Sequence, residues 1–192
     1  ASLPNVVKGM TLSGGPFAAK VKDNRLTVSG KGLLDGQPIE AEYREFLESE
    51  GQAYKMQVAA KGTATEAMRA KFGIDLSDFL AGPAYVDVVY TETSDVNANA
   101  VVNANLRNTQ LFVDPFDYLK ERGSDASASF KAVLKNGSVQ RIEDLTGNAP
   151  TLVLDKSTIM FRQDQNGEDE LASGSISRFV LGETVGALDF EI

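Results

Sequence analysis

Any chemistry in this chain would have to come from carboxylates, lysines or tyrosines. The 192 residues include no His and no Cys. That removes a Ser-His-Asp triad, a thiolate nucleophile, an imidazole base near neutral pH and every Cys-bound metal or cluster. The densest set of hard-cation ligands lies in DQNGEDELASG, residues 164–174, where Asp164, Asn166, Glu168, Asp169 and Glu170 offer oxygen. An EF-hand loop requires Gly at its sixth position, and Gly167 stands fourth from Asp164. A solvated hairpin tip at Asn166-Gly167 accounts for the stretch, and no metal site is assigned.

Glu45, Glu48 and Glu50 of REFLESEGQ would suit acid-base work only if two of them were held across a cleft. A charged strand end running into a loop accounts for all three, in keeping with the usual exposure of Glu. Gly14 and Gly15 of TLSGGPF read as a turn with Pro16, and Lys61-Gly62-Thr63 lacks the rest of a phosphate loop. No catalytic residue and no cofactor is assigned. A carboxylate hydrolase ranks behind every other reading.

The net charge of −8 and the pI near 4.6 argue against nucleic acid and anionic membrane surfaces as partners, since both require clustered Lys and Arg. The basic residues are scattered singly. A hydrophobic content of 42% fits a folded, soluble chain with a buried core. No window of about 18 apolar residues spans a membrane, and ASLPNVVKGM lacks the features of a signal peptide. The chain is expected to be one β-rich segment, 1–192, excised from a longer protein, because it starts without Met and ends in the apolar strand TVGALDFEI.

The elements that would position any site are mostly short alternating strands. RLTVSG sets Leu26 and Val28 opposite Thr27 and Ser29, YKMQVAAKG aligns Tyr54, Met56 and Val58, and YVDVVYTET aligns Val86, Val88 and Tyr90. SASFKAVLKNG aligns Phe130, Ala132 and Leu134 before a turn at Asn136-Gly137, and Asp35-Gly36 marks another hairpin. Ile159 and Phe161 lead into the Asn166-Gly167 turn, and Ile176 to Leu181 follow it. One short helix is expected near 64–72, capped by Thr63 or Thr65 and closed at Gly73, with Ala67, Met68 and Phe72 as its apolar stripe. DLSDFLAGP reads as a further turn, and DPFDYLKE as a short helical turn with Pro115 at its start. The predicted fold is mainly β: a curved, mostly antiparallel sheet of about ten to twelve strands, open or taco-like, with one or two short helices.

The stretch running into VVNANLRNTQLFV states the functional question. Ala98, Ala100, Val102, Ala104 and Leu106 share one face, while Asn97, Asn99, Asn103 and Asn105 share the other, and only Val101 breaks the alternation. The apolar face must lie against either a packed core or a ligand. Periodicity alone favours the core.

The order of segments adds a resemblance. RLTVSGKGLLDGQPIEAEYRE is similar to a recurring unit of the large AsmA-like periplasmic proteins, and residues 58–90 resemble the unit that follows it: strand, Gly-Thr-Ala, short helix, GID step, Leu-x-Gly-Pro turn and a Val-Asp-Val strand. ANLRNTQLFVDPFDYLKERGSDASASFKAVLKNGSVQRIEDL and SGSISRFVLGETVGALDFEI resemble later units, so the likeness runs from about Gly15 to the end. It implies a non-enzymatic, periplasmic segment of a long protein anchored in the inner membrane. In that family an apolar groove carries phospholipid between the inner and outer membranes. The anchor of such a protein is expected to lie outside this segment of the longer chain.

On this basis the groove-lining candidates are Leu26, Val28, Met56, Val58, Val86, Val88, Val102, Leu106, Leu134, Phe161 and Phe179. The expected partners are phospholipid or another acyl-chain lipid and adjoining segments of the same long chain. The alternative is a structural or protein-interaction domain with a fully packed core and no ligand, docking neighbours through its edge strands.

Overall fold

The computed structural model of the chain describes residues 2–72, 76–113, 117–163 and 169–192. Twelve strands form one antiparallel sheet: β1 (Ser2–Val7), β2 (Met10–Lys22), β3 (Arg25–Leu34), β4 (Gln37–Phe46), β5 (Met56–Ala64), β7 (Ala84–Glu92), β8 (Asn97–Asn105), β11 (Ser127–Lys135), β12 (Ser138–Ala149), β13 (Leu152–Gln163), β14 (Asp169–Leu181) and β15 (Thr184–Glu191). Their order in space is their order in sequence, and β1 and β15 are free edges, so the sheet is open. β6 (Leu80–Ala81), β9 (Gln110–Val113) and β10 (Tyr118–Lys120) form a second, three-stranded sheet.

Local chemistry explains the hairpins. Asp35-Gly36 and Asn136-Gly137 both take positive φ (45° and 80°, 52° and 81°), as a tight two-residue turn between right-twisted strands demands. The one helix among the described residues, α1 (Glu66–Lys71), starts where Thr65 Oγ1 accepts from the Met68 backbone N–H at 3.2 Å.

Both minor elements sit at one end of the large sheet. Met68 of α1 packs with Met10, Leu34, Leu12 and Ile39. The small sheet covers the ends of β7 to β14, where Ala84, Leu106, Tyr118, Ala126 and Ala149 form a buried cluster flanked by Leu111, Val113, Leu152 and Leu181. Lys120 is buried there. Its ammonium donates to the carbonyls of Leu106 (2.6 Å), Thr109 (2.7 Å) and Arg107 (3.2 Å), and burial pushes its pKa below the ordinary lysine range.

The fold class is as expected, with three local corrections. Gly14, Gly15 and Pro16 do not turn the chain: they lie inside β2, where Gly14 (φ 86°) and Gly15 (φ 118°) form an irregularity in the β2–β3 ladder. Tyr118–Lys120 is a strand rather than part of a helical turn, because it pairs with Leu111–Val113 and seats Tyr118 and Lys120 in the core. Tyr54 precedes β5 and packs on Phe46, with ring centroids 5.1 Å apart. The expected tip at Asp164 to Glu168, the start of DPFDYLKE at Asp114 and Pro115, and the C-terminal Gly73 lie outside the described residues.

Candidate functional site

Directly opposed residues in antiparallel strands share a face. From β2 to β8 one row runs Ala19, Val28, Tyr43, Val58, Tyr90 and Ala100, and it continues through Ala132, Ile142, Ile159 and Gly174 to Phe190 on β15. A row nearer the capped end holds Ala41, Ala60, Val88, Val102 and Phe130. On the other side of the first row lie Leu26, Glu45, Met56, Glu92, Ala98 and Leu134. One largely apolar face therefore crosses the whole sheet.

The register places Leu26, Val28, Met56, Val58, Val86, Val88, Val102 and Leu134 on this face, with Phe161 two residues from Ile159 and Phe179 opposite Leu154. Leu106 lies just past β8, in the cluster closed over by the small sheet, and Val86 packs against that cluster. Those two are covered by protein. The other nine are half-buried, and neither minor element reaches them in the two buried clusters.

Keeping one face apolar through β12–β14 takes more than alternation. Ile142 and Leu145 stand three apart, as do Leu154 with Ser157 and Ile176 with Phe179, yet each pair shares the face. Register shifts between them supply the extra residue, with Asp144 (φ 52°) and Lys156 (φ 42°) in the left-handed region.

At the wings, aromatic rings lie over glycines. A Cβ on Gly32 would come within 2.9 Å of the Phe17 ring, one on Gly186 within 2.8 Å of Phe179 and one on Gly174 within 2.4 Å of Phe190. Glycine lets these rings lie along the sheet, as in aromatic rescue. Neither the glycines nor the bulges were singled out from sequence as part of this face. Their signal was the loss of alternation.

The rim away from the cap is polar. Tyr43 Oη donates to Glu45 Oε2 at 2.8 Å, and burial, with this hydrogen bond second, pushes the phenol up to about 12. Burial, then the Glu92 charge, raises Tyr90 as well. Lys55 lies 2.6 Å from Asp95 and 3.6 Å from Glu92, and its hydrogen bond to Asp95 holds it above the ordinary lysine range. Both phenols thus stay neutral near pH 7. Of the three glutamates weighed for acid-base work, Glu45 lies on this rim, while Glu48 and Glu50 are exposed beyond β4. Among the described residues no three metal-ligating side chains gather. What the face offers chemically is burial of apolar surface, bordered at one end by neutral phenols and carboxylates. Comparison with known proteins finds no matching family model, no matching curated protein and no matching solved structure.

Proposed function

We propose that this chain is a non-enzymatic segment of an AsmA-like envelope protein, residing in the periplasm as part of a longer chain anchored in the inner membrane. Its role is to carry acyl chains of phospholipid between the inner and outer membranes. The observation that carries the proposal is the apolar face that continues over all the strands from β2 to β15 while α1 and the small sheet cover only one end of it. A half-buried Val or Phe still exposes surface that an acyl chain would cover, at about 0.8 kcal/mol per buried CH₂. Because the term is non-directional, no side chain has to do chemistry.

Native mass spectrometry of protein purified without detergent, followed by organic extraction, tests this directly. Phospholipid at a definite stoichiometry is the expected result. A clean apo mass that persists after incubation with phospholipid vesicles would overturn it. Val102→Asp places a charge in the middle of the face, opposite Val88 and Phe130. It is expected to abolish lipid retention with the circular dichroism spectrum unchanged, whereas global unfolding of the variant would show that Val102 is core.

A second reading rests on a different observation. β15 offers an unpaired edge with no Pro and no Lys, unlike β1, which carries Pro4 and a positive-φ Asn5. Such an edge suits β-augmentation by an adjoining segment of the same long chain, the route by which a structural or interaction domain would dock.

A further inference from the structure

The reverse face of the same sheet carries a separate feature. Over much of that face, charged side chains pair across the ladder: Lys31 with Glu40 at 3.3 Å, Lys61 with Asp87 at 2.8 Å, Lys131 with Glu143 at 3.2 Å. Between β7 and β13, toward the capped end, the pattern changes. Tyr85, Asn105, Ser127 and Asn148 align in one row, and Asp87, Asn103, Ser129 and Thr146 in the next. Together with Asp155 they line a cavity of about 620 Å³. A second cavity of about 310 Å³ adjoins it, sharing Asn105, Ser127 and Asn148.

We propose that this trough binds a neutral oligosaccharide. The volume falls within the range of small-ligand sites. Each row crosses four strands in three steps of about 4.8 Å, so it is roughly 14 Å long, which suits an extended ligand better than a compact one. No Lys or Arg lines either cavity, and the cations beside them, Lys61 and Arg107, are already paired with the lining carboxylates Asp87 (2.8 Å) and Asp125 (3.0 Å), so the lining itself holds no cation for a phosphate or carboxylate. Beside Tyr85 and Val153, the side chains that line the trough on this face are amides, which donate and accept, hydroxyls, which do both, and the carboxylates of Asp155 and of Asp87, the latter paired with Lys61. That mixture matches the adjacent hydroxyls of a sugar, each of which is also both donor and acceptor.

Several of these groups are unengaged. The side chains of Asn103, Ser127, Asn148 and Asp155 make no hydrogen bond to another described residue. Ser129 and Thr146, in contrast, bond to each other at 2.8 Å, bracing the floor. Tyr85, 54% exposed on the first row, presents a ring against which the C–H face of a pyranose can stack. Because the lining sits on strands rather than loops, its spacing is fixed before a ligand arrives. The trough lies on the face opposite the proposed lipid surface, so either assignment can fail without the other.

The test is an amide-resolved NMR titration of the full chain with the neutral sugars maltotriose, triacetylchitotriose and mannotriose, each at millimolar concentration. At least one sugar is expected to shift the side-chain amide signals of Asn103, Asn105 or Asn148, leaving Val58 and Val88 unmoved. Tyr85→Ala combined with Asn148→Ala, both on the strand surface, is expected to weaken that sugar about tenfold or more. Silence with all three sugars would overturn the proposal, as would shifts mapping to the apolar face or undiminished in the variant. Displacement of the sugar by inorganic phosphate would equally overturn the neutral-ligand assignment. The mapping on the unaltered protein decides the matter even if the double variant does not fold.

Discussion

At the scale of single residues, Lys120 shows how a charged side chain can hold the cap together. It is 2% exposed and satisfies three backbone carbonyls of the loop that follows β8. Lys120→Met would keep the volume but remove the ammonium; Leu106 O and Arg107 O keep backbone donors in the Thr109 and Gly123 N–H groups, while Thr109 O loses its partner, at a cost of about 1–3 kcal/mol. The urea midpoint of the variant should fall accordingly, and an unchanged midpoint would mean that water replaces the ammonium. Nothing in the sequence marks this position, since a Lys in a polar stretch is expected in solvent. The nine open candidates on the apolar face were legible for the opposite reason: Leu26 with Val28, and Met56 with Val58, alternate strictly, and period two is what a half-buried strand imposes. Leu106 obeyed the same alternation and yet lies under the small sheet, because a pattern shows which way a side chain points and not what stands over it.

At the scale of elements, the turns carried the most readable signals. Asp35-Gly36 and Asn136-Gly137 ended strands where their tolerance of positive φ required. The helix near 64–72 was legible through Thr65 and Met68 and is observed over Glu66–Lys71. The bulges of β12–β14 were not legible, because an inserted residue is indistinguishable from a broken alternation until the partner strand is known. Lys156 tests their role. A non-glycine residue in the left-handed region costs roughly 1–2 kcal/mol, so Lys156→Gly should leave stability equal or raise it by about 1 kcal/mol, while the β-branched Lys156→Val should lower it. Thermal melts of the two variants would give the order. A valine variant at least as stable as the glycine variant would mean that the left-handed backbone at this position carries no such cost.

At the scale of the whole molecule, the described residues place no second layer over most of the sheet: its apolar face meets protein at one end and its other face is largely polar. The order of its strands also bears on how it holds together. In the large sheet every strand pairs with the strand before it and the strand after it, apart from the excursions through α1 and the small sheet. Interactions that reach only to nearest neighbours make stability a sum along the array, as in repeat proteins. Ending the chain after Leu181 should therefore remove β15 and loosen β14 while amide exchange from β2 to β12 stays slow; loss of protection throughout would reveal coupling across the full sheet. If the array is additive, its length is adjustable. A hairpin gained or lost at the β15 edge would lengthen or shorten the apolar track by two strand widths, about 10 Å, with every other register intact. The distance such a molecule can bridge would then be set by counting hairpins, with no need to redesign its core.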